Sequence, residues 1–72
     1  MIDMKITYKK LWKLLIDKEM KKKDLAEKAH ISSASIAKLG RNENVNTDII
    51  LKICEALNCN VADIMEVKED TE

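Results

Sequence analysis

Proline and phenylalanine are absent from this 72-residue chain, glycine and histidine occur once each (Gly40 and His30), and Trp12 and Tyr8 are the only aromatic residues. Each shortage excludes something. A chain so poor in turn residues, and rich in Lys, Glu, Leu, Ile and Ala, favours helices joined by short polar turns. With two aromatics, the packing falls to Leu, Ile, Ala and Met. One histidine permits no convincing Ser/His/Asp or Cys/His set, and no glycine-rich phosphate loop exists, so the chain is not expected to be an enzyme or to need a cofactor. No second histidine accompanies the first and the thiols lie far from it, so no metal site is supported.

Long apolar runs are missing too. Nothing approaches the roughly eighteen residues of a membrane span, and the first residues lack the order of a signal peptide, so no membrane partner and a cytoplasmic location are expected. Cys54 and Cys59 are the only cysteines. Their spacing puts them on different faces of one helical turn or across its end, which argues for two reduced thiols, Cys54 in the core, rather than a disulfide or a CxxC site.

What is present is 46% hydrophobic residues in a length that makes one domain, residues 1–72, near the lower end of what a core can hold without staples. The formal net charge is zero, but residues 1–41 carry 11 Lys and Arg against 5 acids, and residues 42–72 carry 2 against 8. A domain divided in this way can turn a positive face to phosphates and an acidic one away from them.

Ile2, Met4 and Ile6 alternate with polar residues, a short strand or an extended arm over residues 1–7. Leu11, Leu14 and Leu15 have helical spacing, with a helix over about 8–18. A second runs over about 22–29 with Leu25, Ala26 and Ala29 on one side. After a break at His30-Ile31-Ser32, Ser32 caps a third helix over about 33–39, with Ile36 and Leu39 facing in, and Gly40 and Asn42 end it because both tolerate the left-handed conformation. Asn46 caps a fourth helix over about 46–58. Asn60 with Asp63 resembles a capping box for a fifth over about 61–66, and residues 67–72 should fray.

Two helices around a three-residue break are the arrangement in which the second is free to enter a groove. The run Leu25-Ala26-Glu27-Lys28-Ala29-His30-Ile31-Ser32-Ser33-Ala34-Ser35-Ile36-Ala37-Lys38-Leu39 resembles the helix-turn-helix of the phage-repressor and Cro-like family, also called the xenobiotic-response-element (XRE) family. Residues 46–59 resemble its fourth helix and Val61-Ala62-Asp63-Ile64-Met65 its fifth, so the likeness covers roughly residues 8–66. Within that family the chain looks most like the short, single-domain bacterial regulators without a ligand domain. The resemblance implies an all-α, five-helix, lambda-repressor-like domain that binds double-stranded DNA as a transcriptional regulator, with no small-molecule ligand.

Three positions depart from the family. His30 stands where glycine is usual in the turn; histidine reaches positive φ more readily than a branched residue, at some cost. Lys21-Lys22, followed by Lys23, replaces a frequent Thr-Gln, although lysines at a helix N-terminus oppose the macrodipole by about 0.3–1 kcal/mol each. Gly40 replaces a frequent acidic residue.

The resemblance matches its base-reading positions to Ser33, Ala34, Ala37 and Lys38. Lys38 is the one long side chain among them, Ser33 can bond several base edges, and Ala34 or Ala37 can touch a thymine methyl. Lys22, then Lys21 and Lys23, with Ser32, Arg41, Asn42, Asn44 and Asn46, are the phosphate candidates, although capping is the simpler role for Asn46. One small module buries only about 600–1,000 Å² on DNA, so a homodimer on a pseudo-palindrome is expected. Its interface is either the helix-5 region (Ile64, Met65, Val67) or the Ile2-Met4-Ile6 arm. The alternative is a protein-interaction module of the same fold, antitoxin-like or an anti-repressor partner, favoured by the neutral charge, the acidic second half and the bland third helix.

Overall fold

A computed structural model describes residues 3–70 of the chain. Strand β1 (Met4–Thr7) leads into helices α1 (Lys9–Asp17), α2 (Lys22–Ala29), α3 (Ser33–Gly40) and α4 (Thr47–Leu57), then a 3-10 turn (Val61–Asp63) and strand β2 (Glu66–Glu69). The core is a set of leucines and isoleucines at helical spacing: Leu11 and Leu15 from α1, Leu25 and Ala29 from α2, Leu39 from α3, Ile53 and Leu57 from α4. Tyr8, Ile31 and Ile64 complete it from the connections. Burying one such side chain is worth about 1.5–3 kcal/mol, so a few of them outweigh the modest helix propensity of elements eight to eleven residues long. Helix α2 packs on both α3 and α4 and so ties α3 to the rest of the core.

All four helices end in the same way, and none uses the glycine. Glu19, His30, Asn42 and Asn58 each have positive φ, between 50° and 57°. The residue after each donates its N–H back to the carbonyl five positions earlier: Met20 to Leu15, Ile31 to Ala26, Glu43 to Lys38 and Cys59 to Cys54, at 2.9–3.0 Å. The left-handed residue reverses the chain sharply enough to satisfy carbonyls that the helix end would orphan. Asparagine tolerates that conformation through its short polar side chain; glutamate and histidine hold it at a cost. Gly40 was expected to help end α3 by this means, but it remains helical and Asn42 takes the left-handed position.

Two expectations about the C-terminal part are corrected. The fifth helix is only the 3-10 turn Val61–Asp63, so four α-helices stand where five were expected. The capping contacts foreseen there do form: the Asp63 carboxylate accepts the Asn60 N–H at 2.9 Å, and Asn60 Oδ1 accepts the Val61 N–H at 2.7 Å. The helix does not propagate, because Ile64 turns into the core, fully buried, and the next residues pair as β2 with β1.

The chain is therefore not all-α, and residues 67–69 do not fray. The antiparallel register places Met4 opposite Glu69, Ile6 opposite Val67 and Thr7 opposite Glu66. Asp70 N–H extends the ladder to the Asp3 carbonyl at 2.8 Å, and Lys5–Asp70 (3.4 Å) and Lys10–Glu66 (3.6 Å) are ion pairs along it. The strand alternative for the arm holds for Met4 and Ile6; Ile2, Thr71 and Glu72 lie outside the described residues. Among the described residues no helix is long and apolar enough to cross a membrane.

Candidate nucleic-acid interface

The connection between α2 and α3 is the left-handed His30, buried Ile31 and the cap Ser32. Ser32 Oγ accepts the Ser35 N–H at 3.1 Å and shares a second hydrogen bond of 3.1 Å with Ser35 Oγ. The cap starts α3 at a defined residue, and the 3.6-residue repeat then decides its faces. Leu39 is buried and Ser35 and Ile36 half-buried, whereas Ser33, Ala34, Ala37 and Lys38 are all exposed on the other side. The structure thus brings the four proposed base-reading positions onto one free helix face.

The lysine run begins α2. The Asp24 carboxylate accepts the Lys21 N–H at 2.9 Å, satisfying one orphan donor at this end. Lys21 and Lys23 are exposed. Lys22 lies over the indole of Trp12, its ammonium 4.5 Å from the ring centroid. A cation over an exposed aromatic face gains about 0.5–1 kcal/mol, which offsets the unfavourable macrodipole term of about 0.3–1 kcal/mol. A lysine is therefore tolerated at a helix start where one would not be expected. The Lys22 ammonium also sits 3.7 Å from where a Cβ on Gly40 would be, so it lies beside the last turn of α3 as well as over α1.

A shallow hollow lies beside this lysine, lined by Thr7, Lys9, Trp12, Gly40 and Asn42. It joins the start of α1 to the end of α3. Tyr8 fixes that junction: its N–H donates to Asn42 Oδ1 at 3.1 Å and its hydroxyl to the Glu43 carbonyl at 2.9 Å. The ring is 1% exposed, and burial pushes the phenol above its ordinary pKa. Sequence reasoning gave Tyr8 and Trp12 no role at the site. The available signal was their scarcity: in a chain with two aromatics, both sit where α1 meets the helix pair.

The remaining phosphate candidates divide. Asn42 uses its carbonyl oxygen to hold Tyr8, leaving its amide N–H₂. Arg41 is engaged by Glu43 through two contacts, Nε–Oε2 at 2.6 Å and Nη2–Oε1 at 3.4 Å. The hydrogen bond raises the Arg41 pKa and holds the Glu43 carboxyl below its ordinary value. Both groups are exposed, so solvent screens the pair and an anion of higher charge can compete for the guanidinium. Asn44 is exposed. Asn46 is the cap of α4, its Oδ1 accepting the Asp48 N–H at 2.8 Å.

The thiols lie elsewhere. Cys54 is half-buried rather than in the core, and with Cys59 it lines an open apolar groove of about 560 Å³ between α4 and the 3-10 turn. Leu51 and Val61, 58% and 45% exposed, form its rim. Among the described residues no group of three His, Cys, Asp or Glu side chains is placed to hold a metal ion.

The family model described as the Cro/C1-type helix-turn-helix DNA-binding domain matches residues 10–70. Among solved structures, the crystal structure of the transcriptional regulator VanUg, form II, matches with a TM-score of 0.89 and 51% sequence identity, covering 93% of this chain and 89% of that one. No curated protein matches this chain.

Proposed function

Because the chain belongs to the Cro/C1-type helix-turn-helix DNA-binding family, we propose that it is a transcriptional regulator that binds double-stranded DNA sequence-specifically, as a homodimer on a pseudo-palindromic operator. One observation carries the reading: the exposed face of α3, with Ser33, Ala34, Ala37 and Lys38, stands beside an α2 start that holds Lys22 outward over Trp12. The face is small and uncharged apart from Lys38, and that character suits a groove lined with base edges.

The roles follow from reach. Lys38 bonds a guanine edge, Ser33 a second base, and Ala34 or Ala37 meets a thymine methyl. Lys22, flanked by Lys21 and Lys23, neutralises a phosphate, with Ser32, Asn44 and the free amide of Asn42 as further backbone contacts. Arg41 joins them by exchanging Glu43 for a phosphate, and Asn46 serves first as a cap. One long base-reading side chain supplies about 1–3 kcal/mol of discrimination. Two half-sites, about 34–36 Å apart, supply the rest through symmetry and DNA shape.

The test is selection from random duplexes by the purified protein, across a salt series. Recovery of a pseudo-palindrome, with affinity falling steeply with salt, supports the reading. Failure to bind at low salt overturns it. A protein-binding role of the same fold is the second reading, and the apolar groove carrying Leu51 and Val61 favours it, since no residue of α2 or α3 lines that groove.

A further inference from the structure

We propose that Cys54 and Cys59 are a reversible thiol–disulfide pair, closed by exchange with a low-molecular-weight disulfide of the oxidised-glutathione type. The proposal stands on the helix end, independently of the DNA-binding reading. Asn58, left-handed at φ 50° and ψ 55°, closes α4. The Cys59 N–H then returns to the Cys54 carbonyl at 3.0 Å. With that bond in place, covalent bond lengths laid end to end leave the two Cα atoms no more than about 7 Å apart, the outer limit for bridging two cysteines without moving the backbone. This helix ending frequently sets the side chains of its two bonded residues against each other. At α4 those side chains are two thiols, and Cys54 is close enough to hydrogen-bond the Cys59 thiol.

Access and chemistry agree with the geometry. Both cysteines are half-buried and line the same open groove, so a small reagent meets the two sulfurs from one side. Burial first, and the neighbouring Cys54 second, push the Cys59 thiol above its ordinary pKa. Exchange is carried by the thiolate, so the scarcity of that form makes closure slow.

The exchange balances without further reactants. One cysteine sulfur attacks the external disulfide, forming a mixed disulfide and releasing one small thiol. The other cysteine then attacks the protein sulfur of that mixed disulfide and releases the second small thiol. The two protons leave on the released thiols, and the two electrons lost by the cysteines reduce the external disulfide. The bond would tie the segment leading into the 3-10 turn to the last turn of α4 and stiffen one wall of the groove.

The experiment equilibrates the full chain in buffers of reduced and oxidised glutathione, traps free thiols with an alkylating agent, and reads intact mass. The expected product is a monomer lighter by about 2 Da with no alkylation sites. Cys54→Ser and Cys59→Ser should each instead accumulate the glutathione adduct, about tenfold or more above its level on the parent chain, because the internal thiol that displaces glutathione is gone. Both thiols remaining free throughout, a parent chain that retains glutathione as its serine variants do, or a disulfide-linked dimer as the main product would each overturn the proposal.

Discussion

Replacing Lys22 by alanine separates its contact with Trp12 from the phosphate contact proposed for it, and the sizes of both can be worked out beforehand. In the free protein the group gains about 0.5–1 kcal/mol from the Trp12 face and loses about 0.3–1 kcal/mol to the α2 dipole. The two nearly cancel, so the urea midpoint of Lys22→Ala should stay close to that of the parent. On DNA nothing cancels. One phosphate contact contributes about 0.9 to the slope of log affinity against log salt, so a symmetric dimer should lose about 1.8. Between about 50 and 200 mM salt that difference is about twelvefold in how much affinity the two proteins lose. Fluorescence anisotropy with a labelled operator duplex measures it. Parallel salt slopes with an unchanged midpoint would refute the phosphate role; a large fall in stability would refute the cancellation. Trp12 is the only tryptophan, so its emission gives an independent reading of whether the ammonium leaves the ring on binding.

Three further outcomes test the frame that holds the site. His30 is left-handed at φ 57°, so His30→Gly should stabilise the fold by about 0.5–1 kcal/mol in urea, the relief of side-chain strain exceeding the extra backbone entropy of glycine. Tyr8→Phe should cost about 1–2 kcal/mol by leaving the Glu43 carbonyl without its donor. Because burial raises the Tyr8 pKa in the folded state, its contribution is complete below the unfolded value near 10 and is lost as pH rises through the folded one. The parent should therefore lose stability above about pH 10, more steeply than Tyr8→Phe, in urea melts across that range. Ile64, fully buried, and Val67, 60% exposed, belong to the segment first read as one helix with a frayed tail. Ile64→Ala should cost about 2–5 kcal/mol and Val67→Ala under about 0.5 kcal/mol by thermal melts, and equal costs would count against the described turn and strand.

The helix-turn-helix was legible because each of its signals is local. Ser32 as cap, Leu25, Ile36 and Leu39 at helical spacing, and a polar break between them act within about four residues, and the same short distances decide which face of α3 is free. The left-handed ends were half legible. Asn42 was expected from its residue type and His30 from standing where the family has glycine, whereas Glu19 and Asn58 were not singled out; Glu19 takes that conformation because Met20 must return to the core side of the helix it closes. The fifth helix was misread because Val61, Ile64 and Met65 fit a helix and a turn equally well, and nothing in their spacing names the strand that the following residues meet.

By itself the sequence determined the first four of the five helices read from it, the cap and register of α3, the exposure of Ser33, Ala34, Ala37 and Lys38, and the gathering of basic charge in the first half of the chain. Only the tertiary structure decided the pairing of β1 with β2, the seating of Lys22 on Trp12, and the tie of Tyr8 to Asn42 and Glu43 across 34 and 35 residues. The division has one physical cause. A cap or an apolar stripe is satisfied by residues that the chain itself holds close, but a strand's open backbone, a cation's aromatic face and a buried hydroxyl's acceptor are supplied from afar, and the packed core alone determines which distant groups arrive.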